Sequence, residues 1–150
     1  MCLEKAIQIK PEKDIICYKI CVFAENRFFS PFYYFPYLLG KVEKIGKMKP
    51  AIYFDYLANS DMVTIDGDSF HSFKTLRGAK GMLEILKKKS GTSTTTNYVI
   101  LKCVIPKDSK YIYEGLYYPD INNKNYVSYA SQQIKPIEAL TSYYSISVDK

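Results

Sequence analysis

The residues best suited to chemistry lie in one short stretch, 67–73, with the sequence Gly-Asp-Ser-Phe-His-Ser-Phe. It contains the only histidine, His71, with hydroxyl groups at Ser69 and Ser72 on either side. In an extended strand, Ser69 and His71 share one face and Ser72 lies on the other. A helix is predicted directly after the stretch, and the N–H groups at a helix start attract anions. The stretch therefore predicts a site for a phosphate-like group; the alternative is that His71 is a structural residue.

Other catalytic patterns are not present in the sequence. In a strand, Asp68 lies on the opposite face from Ser69 and His71, so a hydrolase triad of these three residues is not expected. There is no Gly-x-Ser-x-Gly turn, no phosphate-binding P-loop and no dinucleotide glycine fingerprint. The sequence thus predicts no cofactor.

The cysteines do not have the spacing of a metal site. Cys2, Cys17, Cys21 and Cys103 include no Cys-x-x-Cys pair and have no histidine nearby. Cys17 and Cys21 are predicted to share one face of a strand, too far apart to bond. We expect buried free thiols and no bound metal.

The elements that position these residues are mostly strands. Fifteen tyrosines and eight phenylalanines without tryptophan favour sheet. One helix is predicted over 75–89, because Leu76, Ala79, Met82, Leu83 and Leu86 follow a helical period. The predicted fold is α+β, a mostly antiparallel sheet with one principal helix, forming a single domain over 1–150 with a loosely held N-terminal arm over 1–14. Strands are predicted at 15–23, 27–30, 51–56, 62–65, 98–105, 111–113, 126–131 and 134–138.

The charge pattern limits the partners. The formal net charge is +6, and all the basic residues except Arg27 and Arg77 are lysines. Specific nucleic-acid readers usually depend on arginine, so no specific nucleic-acid partner is expected. No apolar run approaches the length of a membrane span and no leader pattern is seen, so a cytoplasmic protein without a membrane partner is predicted.

Several short segments occur in a characteristic order over about 15–137. They are Cys17-Tyr18-Lys19-Ile20, Ser30-Pro31-Phe32-Tyr33, Gly40, Phe70-His71-Ser72-Phe73, Ala79, Cys103-Val104-Ile105-Pro106 and Tyr129-Ala130-Ser131. In these segments the chain resembles a family of small uncharacterised proteins from gut Bacteroidales and their phages or mobile elements. The resemblance implies a phage or mobile-element protein, but no activity.

The order of the segments also resembles, more loosely, the ADP-ribosyltransferase-like fold. Tyr18-Lys19 matches its first strand, Phe70 to Phe73 its serine-containing strand, and 134–138 the strand that bears the catalytic glutamate. Lys19 stands where that fold has arginine or histidine, and Glu138 is a lone acid where a Glu-x-Glu is expected. The resemblance implies that a nucleotide-like ligand is held without catalysis of group transfer.

These observations predict a non-catalytic module that binds a nucleotide-like small molecule or a host protein. One alternative is an NAD-using ADP-ribosyltransferase-like enzyme with Lys19, His71 and Glu138 near the chemistry. A further alternative is a purely structural or interaction protein that uses the aromatic cluster over 32–37. The predicted ligand-binding residues are Tyr18, Lys19, Arg27, Ser69, His71 and Ser72.

Overall fold

The computed structural model describes residues 2–30, 36–44, 48–55, 60–67, 69–89, 97–117 and 126–140. Its described strands pair antiparallel, and these residues contain one helix, so the α+β class predicted from the sequence is confirmed. The elements are β1 (Cys2–Gln8), β2 (Ile15–Ala24), β3 (Arg27–Phe29), β4 (Pro36–Tyr37), β5 (Glu43–Lys44), β6 (Met48–Asp55), β7 (Ser60–Gly67), β8 (Phe70–Phe73), α1 (Leu76–Lys89), β9 (Tyr98–Ile105), β10 (Ile112–Tyr117), β11 (Tyr126–Ser131) and β12 (Gln133–Ala139).

The centre of the sheet is the pair β2 and β9. Their register runs without interruption from Ile15 opposite Ile105 to Val22 opposite Tyr98. Both are nearly continuous runs of apolar and β-branched residues, as expected for strands that are covered on both faces. At the end of β2, Glu25 and Asn26 have φ values of +52° and +60°, as in a type I′ hairpin turn, which leads into β3.

The sheet curls strongly. In the order β12-β9-β2-β8-β11, four strand spacings separate β11 from β12, yet Gln132 alone joins them along the chain. In a flat sheet these strands would stand roughly 19 Å apart. Two successive Cα–Cα steps span at most about 7 Å. The five strands therefore wrap around an inner face.

Each face of the sheet has its own core. The outer face is covered by α1, whose Ala79, Met82 and Leu83 pack with Ile20 of β2 and Phe73 of β8. The inner face is lined by side chains of β2, β4, β8, β9, β10, β11 and β12. Its buried members are Cys17, Cys21, Tyr37, Phe70, Val99, Leu101, Cys103, Ile105, Ile112, Tyr129 and Ile134.

Two glycines let α1 lie close to the sheet. A Cβ placed on Gly81 would stand 2.6 Å from the Tyr126 hydroxyl oxygen, and one on Gly78 would stand 3.5 Å from the Tyr126 ring. The Tyr126 ring thus lies against the backbone of the helix. At the helix start, the Gly78 N–H donates to Thr75 Oγ1 at 3.0 Å, so Thr75 is the N-cap of α1.

The N-terminal segment differs from the loosely held arm that was expected. Cys2–Gln8 form β1, which hydrogen-bonds to β7 on one side and to β10 on the other. Main-chain pairing on both sides holds this strand, although its sequence lacks a clear apolar alternation. Further along, the Lys107 N–H donates to Asp14 Oδ1 at 2.9 Å.

Two expectations concern residues outside the described part of the chain. These are most of the aromatic cluster, 32–35, and Asp68 of the excluded triad. Among the described helical residues, none form a segment both long and apolar enough to cross a membrane.

Candidate functional site

Lys19 is the most unusual residue of the inner face. It lies between Cys17 and Cys21 on β2. A lysine in a strand often extends to the sheet edge and keeps its amine in water, but Lys19 is only 7% exposed and does not. Its Nζ donates a 2.8 Å hydrogen bond to the carbonyl oxygen of His71 and stands 5.5 Å from the centre of the Tyr37 ring. The amine is therefore held inside the protein by a main-chain carbonyl and an aromatic ring.

The position of Lys19 follows from the way in which β2 and β8 pair. These strands have one registered pair, Tyr18 opposite Phe73. In an antiparallel ladder the next positions would bring Lys19 opposite Ser72, but the pairing stops before them. The Lys19 side chain replaces the missing main-chain contact by reaching the carbonyl of His71. We call this place the β2–β8 joint.

No carboxylate of the described residues pairs with the Lys19 amine. The polar side chains around it are the thiols of Cys21, Cys103 and Cys17. Burial lowers the pKa of Lys19 below its usual 10.5. An ammonium ion in such surroundings is disfavoured, because it has lost water and gained no counterion.

The thiols are protonated and unreactive. Burial raises the pKa values of Cys17 and Cys21 to about 12, and it raises the pKa of Cys103 further. All three are free, as the sequence predicted. Cys17 and Cys103 are directly opposite each other on β2 and β9, which the sequence analysis did not anticipate.

His71 is not a cation in this structure. Burial, followed by the charge of Lys19, lowers the pKa of its imidazole from 6.5 to about 3. Its ring stands edge-on to the Phe73 ring, with centroids 4.8 Å apart, on the outer face of the sheet. At neutral pH a neutral imidazole can hydrogen-bond to a phosphate but gives no ion pair with it.

The remaining predicted ligand-binding residues divide into two groups. Ser72 lies at the β2–β8 joint; its buried Oγ interacts with the Cys17 thiol and has no other hydrogen-bond partner among the described residues. Tyr18 is also at the joint but packs on the outer core, and half-buried Ser69 precedes β8. Arg27 is exposed beyond the β2–β3 turn, opposite Ala24. Arg27 is thus roughly 17 Å along the strand direction from Lys19.

Glu138, the predicted catalytic acid, lies apart from the joint. It is exposed on β12 and is opposite Lys102 of β9, so the whole of β9 separates it from β2. The structure brings Lys19 and His71 together through the carbonyl group and leaves Glu138 at a distance. At the start of α1, the Gly78 and Ala79 N–H groups already donate to Thr75. Fewer helix N–H groups therefore remain for an anion than predicted.

A second feature, the exposed turn after Tyr37, was not anticipated. Tyr37 is 3% exposed and packs edge-on against Phe70, with ring centroids 6.1 Å apart. The two residues that follow, Leu38 and Leu39, are 58% and 48% exposed. Val42 is also exposed. We call residues 38–42 the leucine turn.

The leucine turn is held by hydrogen bonds. Gly40 has a φ of +84°, a conformation that favours glycine. Its N–H donates to the Pro136 carbonyl of β12 at 2.7 Å, and the Lys41 N–H donates to the Leu38 carbonyl at 3.2 Å. The sequence does contain a signal for this feature. Two leucines immediately before a glycine, Leu38-Leu39-Gly40, are consistent with a turn that exposes apolar side chains.

Compared with known protein families, curated proteins and solved structures, the chain gives no match. Within the described ranges, no group of three or more histidine, cysteine, aspartate or glutamate side chains is arranged to hold a metal ion.

Proposed function

We propose that the chain is a non-catalytic module that binds another protein through the leucine turn. The observation that supports this most directly is the exposure of Leu38, Leu39 and Val42 on a turn that is tied to β12. Large apolar side chains that cluster at the surface of a soluble domain often mark an interaction site. The chain's resemblance to phage and mobile-element proteins suggests a host protein in the cytoplasm as the partner.

The anchoring of the turn favours binding rather than incidental exposure. Tyr37 is buried on one side of the turn, and on the other side Glu43 and Lys44 pair with Ile134 and Gln133 of β12. A turn fixed at both ends loses little conformational freedom when a partner binds. On β12, Ile137 is also exposed and follows Pro136, whose carbonyl accepts the Gly40 hydrogen bond, so we include it in the proposed contact surface.

The test is selection of a random 12-residue peptide library displayed on phage against the immobilised protein. We expect enriched peptides whose binding is lost, by at least about tenfold in Kd, in the Leu38→Ser/Leu39→Ser variant. The matched control is Ile7→Ser, because Ile7 is 62% exposed on β1, away from the turn. Equal binding to the wild type and to the double-serine variant would contradict the proposal.

A second candidate function, binding of a small nucleotide-like anion, is favoured by one observation at the β2–β8 joint. The Lys19 amine is buried without a carboxylate partner in the described chain, and the Ser72 hydroxyl at the same joint has hydrogen-bonding capacity beyond its interaction with the Cys17 thiol. An anion would supply the missing counterion. Thermal-shift measurements with AMP, ADP and NAD test this; stabilisation that disappears in Lys19→Met supports it. Release of nicotinamide from NAD would instead support the enzyme with Lys19, His71 and Glu138.

A further inference from the structure

The exposed charged side chains of the leucine turn and of the adjoining β5 are positive. Lys41 has a side chain that is 60% exposed, and Lys44 is also exposed. The nearby carboxylate of Glu43 is 12% exposed and lies 3.4 Å from Lys41 Nζ, so it is largely withdrawn from solvent. A partner that approaches the turn therefore meets the ammonium groups of Lys41 and Lys44 beside the leucines, and it meets the exposed carboxylate of Glu138 only beyond Ile137 on β12.

The sheet edge beside the leucine turn offers little main chain to an added strand, because the edge strand β5 has only two residues. Gln133 and Ile134 of β12 already pair with β5. Pro136 has no N–H group, and its carbonyl accepts the Gly40 hydrogen bond. A partner thus has little free main chain on this edge to which it could pair, and it must be recognised by its side chains.

We propose that the partner of the leucine turn is a short acidic amphipathic segment, in which apolar side chains contact Leu38, Leu39 and Ile137 while flanking carboxylates meet Lys41 and Lys44. This inference rests on the proposed function and specifies its partner. Opposite charges across an interface raise the association rate and exclude wrongly charged partners. The binding is expected to weaken with salt, because the two ammonium groups are exposed and screened.

The experiment repeats the selection of the 12-residue phage library with variants of the lysines. Against the wild type, enriched peptides are expected to contain aspartate or glutamate beside their apolar residues. Changing those acids to asparagine or glutamine should weaken binding about tenfold at 50 mM NaCl and much less at 500 mM NaCl. Against Lys41→Gln/Lys44→Glu, the acidic preference should disappear. Lys44→Glu alone is the second variant, because it leaves the contact between Lys41 and Glu43 in place.

The outcomes separate this inference from the proposed function. Peptides that require Leu38 and Leu39, but show no acidic preference and bind the lysine variants equally, overturn the acidic partner and leave the protein-binding function standing. Peptides that bind independently of both leucines overturn both. Melting temperatures of all variants within about 2 °C of the wild type, as expected for surface changes, show that each result reports binding.

Discussion

The Lys19 amine lies 2.8 Å from the carbonyl oxygen of His71, and this one hydrogen bond joins β2 to β8 just beyond their last registered pair. At this place a side-chain hydrogen bond links the two strands where main-chain hydrogen bonds would be expected. Among the five strands that wrap around the inner face, β2 and β8 are the neighbours with the least main-chain pairing, because they have one registered pair. The local stability of β8 should therefore depend on Lys19.

Replacement of Lys19 by methionine tests the strength of this joint. Methionine keeps most of the apolar stem and removes the donor, so the His71 carbonyl is left without its partner. A buried carbonyl that is left without a hydrogen-bond donor costs about 1–3 kcal/mol. We expect amide hydrogen exchange in Phe70–Phe73 to become roughly tenfold faster or more, while exchange in β9 stays unchanged. Unchanged exchange in β8 would show that the bond adds nothing to the joint.

His71 should make stability depend on pH in the acid range. Its pKa falls from 6.5 to about 3 on folding, so the unfolded chain binds more protons between these values. The free energy of unfolding is therefore fully developed above about pH 6.5 and is lost as the pH falls toward 3, by an upper limit of roughly 5 kcal/mol. Urea unfolding of the wild type and of His71→Phe between pH 4 and pH 7 measures this. Parallel pH profiles for the two proteins would contradict the shift.

Gly81→Ala should destabilise the protein, although alanine favours helix. Its Cβ would stand 2.6 Å from the Tyr126 hydroxyl oxygen and 3.0 Å from ring carbons, so the ring must move. Overpacking of this kind costs about 1–3 kcal/mol, against a helix gain of about 1 kcal/mol. The same change in a Tyr126→Phe background removes the closest atom and should recover part of the loss. The free energies of unfolding of the four proteins give this coupling, and strict additivity would contradict it.

Leu83→Ala should be among the more destabilising changes in α1. Leu83 is 1% exposed and packs in the outer core with Ile100 of β9. Loss of a buried leucine side chain costs about 2–5 kcal/mol. Glu84→Ala, on the exposed face of the same helix, is the matched control and should stay within about 0.5 kcal/mol of the wild type. Similar effects at the two positions in chemical unfolding would mean that the wrong helix face has been assigned to the core.

The buried thiols should resist modification until the protein unfolds. Cys17, Cys21 and Cys103 are fully buried, and burial holds their pKa values at about 12 or above. In a Cys2→Ser background, a chromogenic disulfide reagent at pH 8 should react with none of them in minutes and with all three in denaturant. Recovery of a Cys17–Cys103 disulfide from freshly purified protein would contradict this, since the two residues are directly opposite each other.

The parts of the fold that the sequence predicts are those with strong local patterns. The run 98–105 coincides with β9, and the helical period from Leu76 to Leu86 gives α1 almost to the residue. β1 was missed because its pairing depends on the edges of β7 and β10, which are distant in the chain.

The candidate site was predicted less completely, for a similar reason. Period-2 alternation places Ser72 and His71 on opposite faces of β8. The structure agrees, because Ser72 interacts with Cys17 on the inner face and the His71 ring packs against Phe73 on the outer face. It cannot show that β2 and β8 separate after Tyr18, and so it could not place the Lys19 amine at a backbone carbonyl. Arg27 was grouped with Lys19 because both are basic and near in sequence, but the extended β2 strand holds them apart.

The place of β12 as the last of the described strands has a consequence for synthesis of the protein. β12 pairs with β9 and follows every other described strand in the chain. On the ribosome, β2 and β9 can pair as soon as both have emerged, while the other edge of β9 still lacks its neighbour. An unprotected edge of the sequence Tyr98–Ile105, rich in β-branched residues, can pair with the same strand of another nascent chain. Slow translation between β9 and β12 should therefore favour aggregation, and chaperones that bind extended apolar segments should act during that interval.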